Sequence, residues 1–253
     1  MALLYRDRKV KGIADLLRSI KKTDGKHDCL WLRGHASVDW SLIPSVGRKA
    51  ETATAEMVFL KRFKQNAFRL LEHPPQTEWE WLFLMQHYRV PTRLLDWTES
   101  PLVALYFAVS DADHAAADAA LWCLLPTELN KKTGITFKHP KEIPFFDEEQ
   151  DNPLRGYLPS VIAREQSSSL KPAAGIAVRN SPRISAQLGV FTITHREQVS
   201  LEAIDDGKHL WRFIIPAAAK KDILRELAYL KVSNFTVFPE LDRVSSAVTE
   251  GLQ

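Results

Sequence analysis

Apolar positions recur at helical spacing in several stretches of the chain, and each stretch predicts a helix. The chain opens on such a stretch, with Ile13, Leu16, Leu17 and Ile20. Residues 54–72 are typical of one long amphipathic helix. Residues 102–109 are apolar on every side, and Ser100-Pro101 before them is the usual pairing of N-cap and first turn. We therefore expect this helix to be central and buried.

Shorter apolar runs predict strands at residues 29–32, 40–43, 119–125, 175–178, 190–193 and 210–215, and residues 91–98 resemble a strand that ends in polar groups. Two further helices are expected, one capped by Thr77 and one after Pro216. The apolar segment 235–238 and a short helix after Pro239 close the chain. Strands and helices are interspersed without clean alternation, which favours an α+β fold with a mixed or antiparallel central sheet flanked by helices.

Residues 131–169 differ from the rest of the chain, because they hold several prolines, an acidic run and the triplet Ser167-Ser168-Ser169. We interpret them as an irregular insertion and not as a domain boundary. A chain of 253 residues fits one large domain. The prediction is a single domain over residues 1–253, with its core at about 10–248.

Composition and charge narrow the classes of function only a little. The 34 basic residues are nearly offset by 31 acidic ones, so the formal charge is +3. This balance is compatible with a polyanionic partner without requiring one. The two cysteines, Cys29 and Cys123, lie in apolar runs and predict buried thiols in a reducing compartment. We find no secretory leader and no apolar stretch of about 20 residues, so we expect a cytoplasmic protein without a membrane span.

The segment 84–98 carries the strongest chemical signal, because it places an amide, an imidazole, two guanidiniums, a carboxylate and hydroxyls between core-forming residues. Polar groups at the end of a buried strand and before a helix are placed where binding sites usually form. The alternative is structural. Arg93 and Asp96 would then be an internal ion pair and His87 a satisfied core histidine.

Three further positions are weaker signals. Arg33-Gly34 follows a buried strand, and a guanidinium beside a glycine suits a pyrophosphate or carboxylate. Gln187 precedes a predicted strand, where it is a ligand-facing amide or an ordinary strand-edge hydrogen bonder. Glu240 lies at a helix start, where the helix dipole alone explains an acid. The eight histidines lack the spacing of metal ligands, so no metal site is predicted.

Taken together, these segments resemble the FRG domain, a family named for a Phe/Tyr-Arg-Gly motif. The matching segments are Trp31-Leu32-Arg33-Gly34-His35 and residues 40–45, 85–98, 100–109, 183–192 and 238–242, in the family's order. Leu32 stands where the family usually has an aromatic residue. Arg89 stands where a glycine is common.

The order of these segments is also similar, more distantly, to the Arg…Ser-Thr-Ser…Glu layout of ADP-ribosyltransferases. That likeness implies an enzyme with NAD as co-substrate that modifies a macromolecule, with DNA or RNA among the candidate acceptors, in phage defence or as a toxin. The implied catalytic residues are Arg33, His87, Asp96, Gln187 and Glu240. The implied NAD-binding residues are Arg33, Gly34, Gln86, Thr92, Arg93, Trp97, Thr98 and Tyr106. The chain departs from the pattern, since it has no Ser-Thr-Ser and has Gln187 in place of the glutamate.

In that scheme Arg33 binds the pyrophosphate, Tyr106 or Trp97 is the flat partner of nicotinamide, and Asp96 or Glu240 is the anionic group near the ribose. Two alternatives stay open. One is a non-catalytic module that binds nucleotide or nucleic acid through the same groups. The other is a hydrolase or nuclease in which Asp96 and Glu240 hold a metal ion.

Overall fold

The computed structural model describes residues 3–24, 29–52, 54–165, 169–241, 243–244 and 248. The strands are β1 (Arg8–Lys9), β2 (Trp31–His35), β3 (Leu94–Thr98), β4 (Ala119–Leu124), β5 (Ala173–Gly175), β6 (Gly189–Ile193) and β7 (Leu210–Ile215). The α-helices are α1 (Ile13–Asp24), α2 (Glu56–Ala67), α3 (Glu78–His87), α4 (Pro101–Val109), α5 (Pro126–Lys132), α6 (Pro159–Arg164), α7 (Pro182–Ala186), α8 (Ala217–Tyr229) and α9 (Asn234–Val237).

The seven strands form one mixed sheet in the order β1-β7-β4-β2-β3-β6-β5. The edge strand β1 runs parallel to β7, and the remaining pairs within the described residues are antiparallel. The predicted α+β fold with a mixed sheet is confirmed. Every residue of the interior strand β4 is buried, so both faces of the sheet are covered there.

Alternate residues of the strands enter different parts of the core, as the period of two requires. Leu32 packs with α1, α4 and α8 in a first cluster, while its neighbour Trp31 belongs to another cluster with Leu95 and Trp97. A further cluster joins α2 and α3 to β6. That cluster also contains Phe146 and other residues of the segment 131–165, so this largely irregular segment is part of the packed core.

Helix α4 lies unusually close to β2. A β-carbon placed on Gly34 would be 2.0 Å from the carbonyl oxygen of Ala104 and 2.6 Å from the backbone nitrogen of Ala108. No side chain fits there without moving the helix. Gly34 therefore allows a helix to approach the strand, whereas the sequence suggested that it lets a ligand approach.

The sheet is loosely joined between β2 and β3. These strands pair at a single position, Leu32 with Thr98, whereas β2 pairs with β4, and β3 with β6, at five positions each. Backbone groups beyond that position need other partners. This divergence places the side chains of β2 and β3 at the edge of a pocket.

Local signals in the sequence are confirmed most closely. Thr77 forms a capping box with Glu80, and Ser100 caps α4. The strand expected at residues 40–43 is wrong, since bends and the 3-10 turn Ser45–Arg48 occupy that region. Residues 234–237 form helix α9, and the helix α7 before β6 was not foreseen. Most of the segment after Pro239 lies outside the described residues.

Two further expectations concern a membrane span and the two cysteines. Within the described ranges, no helix combines the length and the apolar character that crossing a bilayer requires. Cys29 is only partly buried, whereas Cys123 is fully buried, which raises the pKa of its thiol.

Candidate functional site

A pocket of about 980 Å³ opens where β2 and β3 diverge. Its lining includes Arg33 from β2, Asp96 from β3, Gln86 and His87 from the end of α3, and Gln187 before β6. The structure therefore brings together five residues from four separate segments of the chain. Their roles toward a ligand stay predictions.

Asp96 is the exposed carboxylate of this group, with half of its side chain accessible. It lies in the middle of β3, paired with Phe191, and points away from the core face that holds Leu95 and Trp97. Its Oδ2 accepts a hydrogen bond of 2.7 Å from Nε2 of Gln86. Its Oδ1 has no hydrogen-bond partner among the described residues, so that oxygen is available to a ligand.

Gln86 is fixed at both ends of its carboxamide. Its Oε1 accepts a bond of 2.5 Å from the hydroxyl of Thr92, while its Nε2 donates to Asp96. Thr92 is fully buried and its hydroxyl also accepts from the backbone N–H of Leu94. Thr92 thus acts through Gln86 on the orientation of Asp96, and does not line the pocket itself.

Arg33 bridges the two diverging strands. Its NH1 donates to the backbone carbonyl of Asp96 and lies 3.9 Å from Oδ2 of the same residue. Its Nε donates to Nε2 of His35 at 3.0 Å. Burial lowers the pKa of Arg33 to about 10, the charge of Asp96 opposes this effect, and Arg48 adds to it. The guanidinium is therefore charged at neutral pH, and its NH2 has no bonding partner among the described residues.

His35 is a part of the site that the sequence analysis did not identify. It is 3% exposed, and its Nδ1 lies 3.2 Å from the backbone oxygen of Trp40. Burial, and next the charge of Arg33, lower the pKa of His35 to about 3, although the bond to Trp40 acts in the opposite direction. The spacing Arg33-Gly34-His35 was the available signal, because residues i and i+2 of a strand share a face.

Arg93 does not line the pocket, so its predicted role in NAD binding has no direct support from the geometry and stays a prediction. It is not paired with Asp96 either. Its Nε donates to the carboxylate of Glu56, NH1 to the carbonyl of Thr194, and NH2 to the carbonyl of Tyr157. The side chains of Arg93 and Glu56 are 5% and 9% exposed, so this is a buried structural ion pair.

The two aromatic candidates for stacking are core residues. The indole of Trp97 packs in the cluster with Trp31, and its Nε1 donates to the hydroxyl of Thr192 at 3.1 Å. Tyr106 is 7% exposed in the α4 cluster and is absent from the pocket lining. Thr98 lines the pocket, but its hydroxyl is engaged by the carbonyl of Gln187.

The aromatic wall comes from residues that the sequence analysis did not select. Phe83, Phe146 and Phe191 all line the pocket, with ring centroids of Phe83 at 5.4 Å from Phe146 and 4.8 Å from Phe191. Trp79 packs on Phe146 at 4.9 Å. Flat, apolar surface in the pocket therefore comes mainly from these rings, together with Trp97, which also lines the pocket.

His87, Glu240 and Arg183 form a cluster beside the pocket. Oε1 of Glu240 lies 3.5 Å from Nε2 of His87 and 3.4 Å from NH1 of Arg183. Arg183 also donates to the carbonyl of His87 and packs over the ring of Phe238. Glu240 does not line the pocket, although its partners His87 and Arg183 do, and its predicted catalytic role stays a prediction.

Gln187 joins the same region, since its Nε2 donates to the carbonyl of Val237 in α9 at 3.1 Å. Its side chain therefore binds the C-terminal segment while its residue lines the pocket. No set of three or more His, Cys, Asp or Glu side chains in the part of the chain that is described has the arrangement of a metal site.

The far end of the pocket is acidic. Glu72, Glu80, Asp147 and Glu148 line it, and Glu80 stands six residues before Gln86 on α3, which is about 9 Å along the helix. With Asp96, five carboxylates face two guanidiniums, those of Arg33 and Arg183. The lining thus has an excess of negative charge that the overall composition does not suggest.

Comparison with known proteins supports the domain and no finer identity. Residues 28–117 match the family model of the FRG domain. This stretch contains Arg33, Gly34, Gln86 and Asp96 and ends before Gln187. No curated protein and no solved structure matches the chain. None of these comparisons tests the likeness to ADP-ribosyltransferases, which stays a prediction.

Proposed function

We propose that this chain binds NAD in the pocket between β2 and β3 and transfers its ADP-ribose to a macromolecule. The observation that carries the proposal is Asp96, a half-exposed carboxylate with one oxygen fixed by Gln86 and the other without a partner among the described residues. A pre-oriented anion beside a flat apolar wall suits a reaction that develops positive charge. The pocket volume, about 980 Å³, is at the upper end of the range for small-molecule sites.

The substrate contributes a glycosidic bond whose cleavage leaves the electron pair on nitrogen, so that neutral nicotinamide departs and the ribose carbon becomes oxocarbenium-like. In the proposal, Asp96 stabilises this cation and Arg33 binds a phosphate oxygen through its free NH2. Phe83, Phe146 and Phe191 provide the flat surface and exclude water. The acceptor's nucleophile bonds to the ribose carbon and loses its proton to the solvent.

The charge of the lining bears on the acceptor. Four carboxylates at the far end of the pocket repel a polyanion, because like charges in a cleft reinforce one another. Nucleic acid is therefore the less favoured acceptor at this opening, and a protein is favoured. A macromolecular acceptor remains part of the proposal in either case.

One observation favours a second function, a nucleotide-binding module without catalysis. The layout requires a glutamate near the acceptor, whereas this chain has Gln187, whose amide is already bonded to the carbonyl of Val237. Such a residue positions α9 and cannot act as a base. The same pocket would then bind the ligand and leave it intact.

The deciding experiment supplies NAD labelled separately in nicotinamide and in adenine, with cell lysate, DNA or RNA as acceptor. The proposal expects free labelled nicotinamide and adenine label retained on protein. Asp96→Asn should abolish both signals, and Asp113→Asn, the same change at an exposed site outside the pocket, should leave them unchanged.

The outcomes separate the candidates. Retention of adenine label on DNA or RNA would overturn the argument from charge and keep the transferase. Binding of NAD by calorimetry without release of nicotinamide would select the non-catalytic module. Absence of any binding of NAD or ADP-ribose would refute both.

A further inference from the structure

We infer that His35 is a positioning residue for Arg33, and that it acts as a neutral imidazole with its proton on Nδ1. The inference rests on the proposed function for its consequence, but its geometry stands independently. His35 is not among the residues that line the pocket. It therefore acts on a ligand only through Arg33, which does line it.

The hydrogen bonds define the tautomer. The Nε of Arg33 carries a proton and is only a donor, so Nε2 of His35 at 3.0 Å must accept. Nδ1 lies 3.2 Å from the backbone oxygen of Trp40, which is only an acceptor, so Nδ1 must carry the proton. One tautomer satisfies both partners, and the protonated imidazolium satisfies only Trp40.

The surroundings of His35 agree with a neutral ring. It is 3% exposed, and among the described residues the charges that act on it are the guanidiniums of Arg33 and Arg48. A proton on Nε2 would place two donors and two positive charges against each other in a buried site. The ring edge is also held by the indole of Trp40, at 5.9 Å between centroids.

The consequence lies in how Arg33 presents its remaining donors. A guanidinium is planar, so a bond at Nε and a bond at NH1 fix the direction of NH2. His35 supplies the first of these bonds and the carbonyl of Asp96 the second. Without His35 the guanidinium can rotate about the contact with Asp96, and NH2 no longer points in one direction.

Two substitutions divide the functions of the imidazole. The amide of His35→Asn reaches the position of Nδ1 and can donate to Trp40, but it is too short to meet Arg33. The longer amide of His35→Gln reaches the position of Nε2 and can accept from Arg33, but it loses Trp40. His139→Gln, at an exposed histidine outside the pocket, is the matched control.

The first measurement is nitrogen NMR on the unliganded chain, and it needs no activity. We expect Nε2 of His35 to be unprotonated at neutral pH, with a scalar coupling to Nε of Arg33. The Arg33 Nε–H should exchange with water about tenfold faster in His35→Asn than in the wild type or His35→Gln. A proton on Nε2 at neutral pH, or equal exchange in the Asn and Gln variants, would overturn the inference.

The second measurement is the affinity for ADP-ribose at equal folded fraction. We expect His35→Asn to weaken binding on the order of tenfold and His35→Gln to restore most of it. Rescue by Asn and not by Gln would show that His35 serves only Trp40, which contradicts the inference. If the wild type binds neither NAD nor ADP-ribose, the proposed function fails and the NMR result alone decides the role of His35.

Discussion

Arg33 and Arg93 each meet a carboxylate, but only Arg33 lines the pocket. Arg93 and Glu56 are almost fully buried, and all three guanidinium nitrogens of Arg93 have protein acceptors. Arg33 lies in the pocket, its carboxylate partner Asp96 is 3.9 Å away and half exposed, and its NH2 has no acceptor among the described residues. The first pair is complete within the protein, whereas the second keeps a donor and a carboxylate oxygen that no described residue engages.

The number of hydrogen bonds that each arginine makes within the protein distinguishes a structural ion pair from one that can bind a ligand. A buried charge is tolerated only when its hydrogen bonds are made, so a complete set indicates a structural role. A charged side chain at a pocket can instead keep one donor without an acceptor. Its other bonds already orient it, and the remaining donor can bind a ligand. Substitutions at the two pairs should therefore have opposite consequences for stability and for ligand.

The largest effect is expected for Glu56→Ala. Removing this carboxylate leaves the buried guanidinium of Arg93 without its anion, and the free energy of unfolding should fall by about 3–5 kcal/mol. Urea denaturation followed by circular dichroism measures the loss. Glu51→Ala, at an exposed glutamate, should change stability by less than about 0.5 kcal/mol. A loss at Glu56 as small as the control's would mean that the pair is not structural.

Asp96→Asn should have a small effect on stability and a large effect on turnover. The asparagine oxygen can still accept from Gln86, and the site is half exposed, so the free energy of unfolding should change by less than about 1 kcal/mol. Turnover of NAD should fall about a hundredfold, the usual cost of losing one electrostatic contact to a transition state. A large loss of stability with unchanged turnover per folded molecule would place Asp96 with the structural pair.

Acid should lower the free energy of unfolding, because His35 takes up a proton more readily in the unfolded chain than in the folded protein. The pKa of His35 is about 3 when folded and about 6.5 when unfolded, so its contribution to stability is complete above pH 6.5 and is lost as the pH falls toward 3. By pH 5 this loss is on the order of 2 kcal/mol. The measurement is the free energy of unfolding between pH 7.5 and 5, which should depend less on pH in His35→Gln. An equal slope in both proteins would show that His35 is not buried as a neutral ring.

The sequence predicted the parts of this comparison that depend on local patterns. The caps Thr77 and Ser100, and the buried helix after Ser100, follow from neighbouring residues alone and are confirmed. Arg33 and Asp96 could be predicted as site residues from the sequence because each is a polar residue at a buried strand. Both lie inside their strands and not at the ends, because the pocket arises from the divergence of β2 and β3.

The sequence could not predict which carboxylate each arginine meets. Arg93 and Asp96 are three residues apart, which suggested an ion pair. In extended backbone, however, residues an odd number of positions apart point to opposite faces. The true partner, Glu56, is 37 residues earlier on α2, and no periodicity relates the two positions. In the same way, the aromatic wall joins Phe83, Phe146 and Phe191 across three segments.

The smallest effect is expected at a third arginine, which belongs to neither pair. Arg89 follows α3 with φ at 61°, in the left-handed region where glycine is favoured. Arg89→Gly should therefore raise the free energy of unfolding by up to about 1 kcal/mol. Lys231→Gly is a matched control, since Lys231 follows α8 with φ at 60° and is also exposed.

The two glycine variants should gain similar stability in urea denaturation, because the strain that they relieve is the same. Arg89 is exposed and absent from the pocket lining, so the affinity of Arg89→Gly for ADP-ribose should stay within about twofold of the wild type. A larger loss of affinity, without one in Lys231→Gly, would show that Arg89 contributes charge at the pocket opening. Arg89 would then join Arg33 and Arg183 at the pocket, and the contrast between Arg33 and Arg93 would cover only part of the arginines that matter to the ligand.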